Sequence, residues 1–228
     1  MRLFEVGGSV RDQLLSRPVS DRDFAVEAES FDAMKAWVLS QGGRIFLETP
    51  QHLTIRAMMP SIRASDFVLC RRDGAYLDSR HPESVEAGSI YDDLARRDFT
   101  MNAIAIEVAT GAWIDPHGGE ADIARRLIRC VGSVQRSFGD DALRILRAIR
   151  FSVTLDFDLS REIGDALQVE SVVNGLYKIS ADRIRQEVGK MFAFSTVQSV
   201  KQLARFPLVL NVISDSGVWL KATQENRP

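Results

Sequence analysis

Cysteine is nearly absent from the 228-residue chain: Cys70 and Cys130 are the only two. They form neither a zinc-ligand pattern nor a disulfide framework, and their scarcity suits a reducing compartment. No segment approaches the roughly 18 consecutive apolar residues that a membrane-spanning helix needs. The opening Met1-Arg2-Leu3-Phe4-Glu5-Val6-Gly7-Gly8 is broken too early for a secretory signal, so the cytoplasm is the expected location and no membrane partner is expected. There is no excess of one charge either. Lys and Arg number 29 and Asp and Glu 31, a net charge of -2, so a nucleic acid would have to be held by a local basic patch. Solenoid-length repeats and low-complexity tracts are missing too. What is present is ordinary for a folded protein, with 45% apolar and 26% charged residues. A chain of this length makes one large domain or two smaller ones and buries roughly 70% of its unfolded surface.

Short apolar runs at Leu3–Val6, Phe24–Val26, Ile45–Leu47, Leu53–Met58, Phe67–Cys70 and Ala103–Val108 predict strands. Between the first two, Val10, Leu14 and Leu15 keep helical spacing. Ser30 predicts a helix cap ahead of Phe31, Met34, Trp37 and Val38, with Gly42-Gly43 as the stop, and Asp73-Gly74 predicts a turn. After about Phe138 the pattern becomes helical throughout. One helix carries Leu143, Leu146, Ile149 and Val153, and others begin near Ser160, Ser180 and Thr196. The Thr196 helix is expected to hold Val200, Leu203 and Phe206 and to end near Pro207, and the last seven residues to fray. The predicted class is α+β, with a mixed sheet flanked by helices over residues 1–137 and an all-helical section over 138–228.

Four clusters carry chemistry. Gly7-Gly8-Ser9-Val10-Arg11-Asp12 follows a strand and opens a helix, so its backbone N–H groups and Arg11 suit an anion, although an ordinary strand-to-helix turn reads the same way. Asp21-Arg22-Asp23 would set two carboxylates on one side of an extended segment, a pairing that a Mg²⁺ ion relieves; alone, the triplet is also a solvated turn. The two together, a phosphate cradle and a metal pair, are what nucleotidyl transfer requires. Arg96-Arg97-Asp98-Phe99-Thr100-Met101-Asn102-Ala103 joins phosphate donors and ribose partners to an apolar strand. Last, Asp140, Asp141, Arg144 and Arg147 are predicted to share one helix face, either as intrahelical ion pairs or as an edge that reads a nucleobase.

In this order the clusters resemble the class II tRNA nucleotidyltransferases, the CCA-adding enzymes, and the related bacterial poly(A) polymerases. Gly7–Leu15 meets the pattern G-G-x-V-R-D-x-L-L, Asp21–Phe24 the metal motif, and Arg96–Ala103 the pattern R-R-D-F-T-x-N-A. Asp115-Pro116, Gly118-Gly119 and Asp122-Ile123 fit the spacer, and Ile179–Ile184 resembles the later I-S-x-E-R motif with Asp182 for glutamate. The departures are Asp140 for the usual glutamate, Ser16 for a usual glycine, and an end at Pro228 that leaves no residues for body and tail domains. The resemblance implies a polymerase-beta-type nucleotidyltransferase head and a helical neck. It implies Mg²⁺ on Asp21 and Asp23, with Asp66 as the third catalytic carboxylate. Gly7, Gly8, Ser9 and Arg11 fall on the triphosphate, and Arg96, Arg97, Asp98 and Asn102 on ribose and phosphate. Asp141 and Arg144 fall on the protein template that selects C or A, with Arg147 and Arg150 beside the phosphates, and Arg71 to Asp92 on a flexible loop region. The expected activity is addition of C and A to the 3′ end of tRNA from CTP and ATP. A poly(A) polymerase, an A-adding enzyme and a catalytically weak RNA-binding relic remain as alternatives, and oligomeric state stays open. Basic residues concentrate in two stretches, 121–150 and 178–205, so the neck is expected to meet the acceptor end of the RNA.

Overall fold

A computed structural model describes residues 1–19, 21–73 and 85–217. The expected turn residue Gly74, the middle of the expected loop region and the last seven residues lie outside them. The chain divides at Ala124/Arg125 into two compact units, so residues 125–137 group with the helical one.

The first unit runs β1 (Arg2–Val6), α1 (Gly8–Leu14), β2 (Asp23–Glu27), α2 (Phe31–Ser40), β3 (Arg44–Thr49), β4 (Thr54–Met59), β5 (Ile62–Leu69), β6 (Arg71–Asp73), β7 (Val85–Ala87), α3 (Ile90–Ala95), β8 (Ala105–Glu107), β9 (Trp113–Ile114) and α4 (Gly119–Ala124). Among the described residues, seven strands form one mixed sheet in the order β3-β4-β5-β2-β1-β8-β9. The β2–β5 pairing is parallel and the others are antiparallel. Alternation along β2 and β5 puts Phe24, Val26, Phe67 and Leu69 into the core with Met34 and Val38 of α2. The Phe24 and Phe67 rings stack with centroids 5.3 Å apart. The residues that alternate with these, Asp23 and Asp66 included, therefore take the opposite face.

Helix α2 is bounded as the sequence predicts: the Ser30 hydroxyl accepts from Ala33 N at 3.1 Å, and Gly42 supplies a left-handed φ of 75°. Helix α1 ends in a Schellman turn, with Arg17 N bonded to Asp12 O and Ser16 N to Gln13 O. Ser16, which stands where the family pattern has glycine, is the left-handed residue of that turn, at φ 53°. Ser16→Gly is thus expected to raise stability by about 1 kcal/mol in a thermal melt; an unchanged or lower melting temperature would show the turn is unstrained.

The second unit holds β10 (Leu127–Ile128), α5 (Val134–Asp140), α6 (Leu143–Leu155), β11 (Asp158–Leu159), α7 (Arg161–Ala166), α8 (Glu170–Val173), α9 (Ala181–Phe194), α10 (Thr196–Ala204) and α11 (Pro207–Asp215). Helix α6 is its centre, buried at Ile145, Leu146, Ala148, Ile149, Ser152 and Val153 and packed on α9 and α10. Two expectations are corrected here. The Thr196 helix stops at Ala204, so Phe206 lies beyond it, and Pro207 opens α11 at its first position, where its missing N–H costs nothing. Asp140 and Asp141 also do not share a helix with Arg144 and Arg147. Asp140 ends α5, Asp141 is extended at φ -150°, and α6 starts only at Leu143.

Candidate active site

In the first unit the strand register assembles the carboxylates. Asp23, the first residue of β2, pairs with Asp66 on β5, and Asp66 pairs with Arg56 on β4. On its other side Asp23 pairs with Val6, the last residue of β1, so the chain passes straight from this row into Gly7. Directly paired residues point to one sheet face, and neighbouring strands lie roughly 4.8 Å apart. Asp66 thus stands beside Asp23. Asp21 lies just ahead of β2, and Arg22 reaches back to Glu5 at 3.3 Å. Burial holds the Asp23 carboxyl above its ordinary pKa, and the charges of Asp66 and Asp21 add to that, against Arg97 and Arg56. Such a crowd of like charge fits a divalent cation. Among the described residues no three Asp, Glu, His or Cys side chains close into a ready cage.

Gly7 turns the chain into α1 at φ 78°, a conformation that disfavours any side chain. A Cβ there would also meet Arg97 Nη1 at 3.0 Å. Among the described residues no side chain caps the start of α1, while the Ser9 hydroxyl turns inward and donates to Val6 O at 3.2 Å. Arg11, distant in sequence, joins Asn102 and Asp98 in one buried chain. Arg11 Nη1 donates to Asn102 Oδ1 at 2.7 Å, Asn102 Nδ2 donates to Asp98 Oδ1 at 3.0 Å, and Phe99 N donates to the same oxygen at 2.8 Å. Arg96 and Arg97 both converge on Asp93, a residue the sequence reading passed over although it precedes them by three and four positions. Behind them, Thr100 donates to the buried Asp122 at 2.6 Å, and Gly119 passes so close to Thr100 that a Cβ would lie 2.1 Å from its carbonyl oxygen. The R-R-D-F-T segment is braced from below by that contact.

In the second unit Asp141 caps α6, its Oδ1 accepting from Leu143 N at 3.0 Å, while its Oδ2 accepts from Arg183 of α9 at 3.1 Å. Arg144 donates to Ser137 at 3.0 Å. Arg147 lies over the Phe151 ring at 5.4 Å. Arg150 is committed inward, its Nε 2.6 Å from Glu187 Oε2 and its guanidinium 4.0 Å from the Phe151 centroid.

Among the described residues no helix is long and apolar enough to cross a membrane. The family model described as the poly A polymerase head domain matches residues 3–129. The CCA-adding enzyme of Geobacillus thermodenitrificans is 38% identical over 224 residues, covering 95% of this chain and 52% of that protein. The Bacillus stearothermophilus CCA-adding enzyme in complex with CTP has a TM-score of 0.76 at 32% identity, over 90% of this chain and 48% of that one. A tRNA nucleotidyltransferase complexed with a primer tRNA and an incoming ATP analog has a TM-score of 0.73 at 32% identity, over 93% and 59%. The chain spans about half the length of the curated relatives it matches. With a glycine turn, a carboxylate row and an arginine-bearing segment all inside the matched span, the chain belongs to the poly A polymerase head domain family.

Proposed function

We propose that this chain is a template-independent nucleotidyltransferase that adds C and A to the 3′ end of tRNA from CTP and ATP. The observation that carries the reading is the Asp23–Asp66 pair in register beside the Gly7 turn. Mg²⁺ on Asp21, Asp23 and Asp66, when bound, would acidify the RNA 3′-hydroxyl and stabilise the leaving pyrophosphate. The chain's own groups do the holding. Gly7, Gly8 and the start of α1 offer N–H donors to the triphosphate, and Arg97 offers a fixed guanidinium edge. Arg11, Asp98 and Asn102 form one hydrogen-bonded network, so Arg11 at the triphosphate and Asp98 and Asn102 at the ribose are held in a fixed relation. Arg96 adds positive charge beside them. The named relatives support the choice of tRNA, CTP and ATP. Cys70 and Cys130, both buried and neither in a disulfide, suit a cytoplasmic location.

Single-nucleotide incorporation on tRNA transcripts lacking the terminal CCA tests this. CTP alone is expected to extend them by C, ATP alone to extend only transcripts already ending in CC, and UTP and GTP to give nothing. Runs of A from ATP alone would instead favour the poly(A) alternative.

For the second unit we assign the choice of base to Asp141 and Arg144, with Arg147 beside the phosphates. Asp141→Ala or Arg144→Ala is expected to erase most of the preference for CTP over UTP, while CTP binding falls by much less. Bidentate base contacts are worth about 1–3 kcal/mol of discrimination, so the preference should drop by roughly tenfold or more. Variants that still reject UTP as the parent does would make the pair structural.

A further inference from the structure

We infer that Asp93 is a positioning residue that aims Arg97 at the Gly7 turn; the inference rests on the nucleotidyl-transfer reading above. Asp93 lies in the short helix α3 and is 1% exposed, so no substrate reaches it. Both of its oxygens are spent on arginine. Oδ2 accepts from Arg97 Nε at 3.0 Å and from Arg97 Nη2 at 2.8 Å, and Oδ1 pairs with Arg96 Nη2. That grip takes two of the three Arg97 nitrogens and fixes the plane of the guanidinium. The third, Nη1, is left with one long contact, 3.4 Å to Asn102 O, and it lies where a Gly7 side chain would be. Its remaining N–H is thereby presented at the turn where α1 begins.

Charge supports the same role. Arg97 acts electrostatically on Asp23, so its charge lies near the Asp23–Asp66 row, and a positive charge there favours a bound polyphosphate. Burial pushes the Asp93 carboxyl up, but Arg97 and Arg96 outweigh burial and hold it below its ordinary value. Asp93 therefore stays ionised at neutral pH and keeps its grip. Were Asp93 only a brace for the fold, its loss would weaken every ligand alike. As an aiming device, its loss weakens ligands in proportion to their phosphates.

The test compares CTP and CMP binding to the full chain by equilibrium dialysis with Mg²⁺ and no RNA acceptor, alongside thermal melts. Asp93→Asn is expected to weaken CTP by about tenfold, the loss of one well-aimed charge-assisted contact, and CMP by less than about twofold. Arg97→Ala should match it, and the double variant should be no worse than Arg97→Ala alone. Equal losses for CTP and CMP, or a fully additive double variant, would overturn the inference. If Asp93→Asn fails to fold, Asp93→Glu replaces it: one extra methylene displaces both arginines while keeping the charge, and the same CTP-selective loss is expected, with parental CTP affinity as the contrary result. A parent chain that binds CTP but incorporates nothing would count against the functional reading and leave the aiming role standing.

Discussion

Asp23→Asn is expected to abolish nucleotide incorporation without lowering the melting temperature measured in the absence of divalent cations. Loss of one metal-binding carboxylate removes several kcal/mol of transition-state stabilisation, about three orders of magnitude in rate. The stability half follows from the raised Asp23 pKa, caused by burial first and then by Asp66 and Asp21. At pH 7 the group is charged in both folded and unfolded chains. A folded value above the unfolded one means that the charge is penalised by the fold at that pH, a penalty that vanishes as pH falls below the unfolded value. Asparagine removes the charge and with it the penalty. A variant that still incorporates nucleotide, or one that melts well below the parent, would contradict the assignment of this row as a metal site.

Arg150→Met is expected to be among the most destabilising single changes in the second unit. The Arg150 and Glu187 side chains are 13% and 6% exposed, and breaking a buried pair strands the remaining charge. The cost is about 3 kcal/mol or more, a fall of roughly 10 °C in melting temperature. Lys190, 4.0 Å from Glu187, offsets little of this because its own side chain is largely in solvent. Replacing both partners with methionine should recover most of the loss, since two apolar side chains of similar volume leave no uncompensated charge. A double variant as unstable as Arg150→Met would refute the pair's role. A double variant that regains stability but no activity would return Arg150 to the phosphates, where the family resemblance puts it.

Local pattern made much of this molecule legible. The Ser30 cap, the α2 face and the helical texture after Phe138 follow from spacing alone. The Asp23–Asp66 neighbourhood does not, because parallel pairing of strands distant in sequence leaves no local trace; Asp66 was reached through the family pattern. Reading Asp140 to Arg147 as one helix failed for a physical reason. The apolar spacing of α6 runs back smoothly toward Ala142, whereas an aspartate two residues ahead of Leu143 is a cap signal, and the cap prevails. Pro207 carried a similar signal, since proline opens helices more readily than it ends them. Asp93 was hidden in an acidic pair with Asp92; in the fold Asp92 is spent on the Ser89 capping box and Arg72, whereas Asp93 is buried against Arg96 and Arg97.

The most direct test of the account is the 3′-terminal sequence of tRNA transcripts lacking CCA after incubation with the chain, Mg²⁺, CTP and ATP together. The account predicts that the parent leaves products ending in one C-C-A and that Asp23→Asn leaves the transcripts unchanged. Transcripts unextended by the parent, or extended equally by Asp23→Asn, would contradict it.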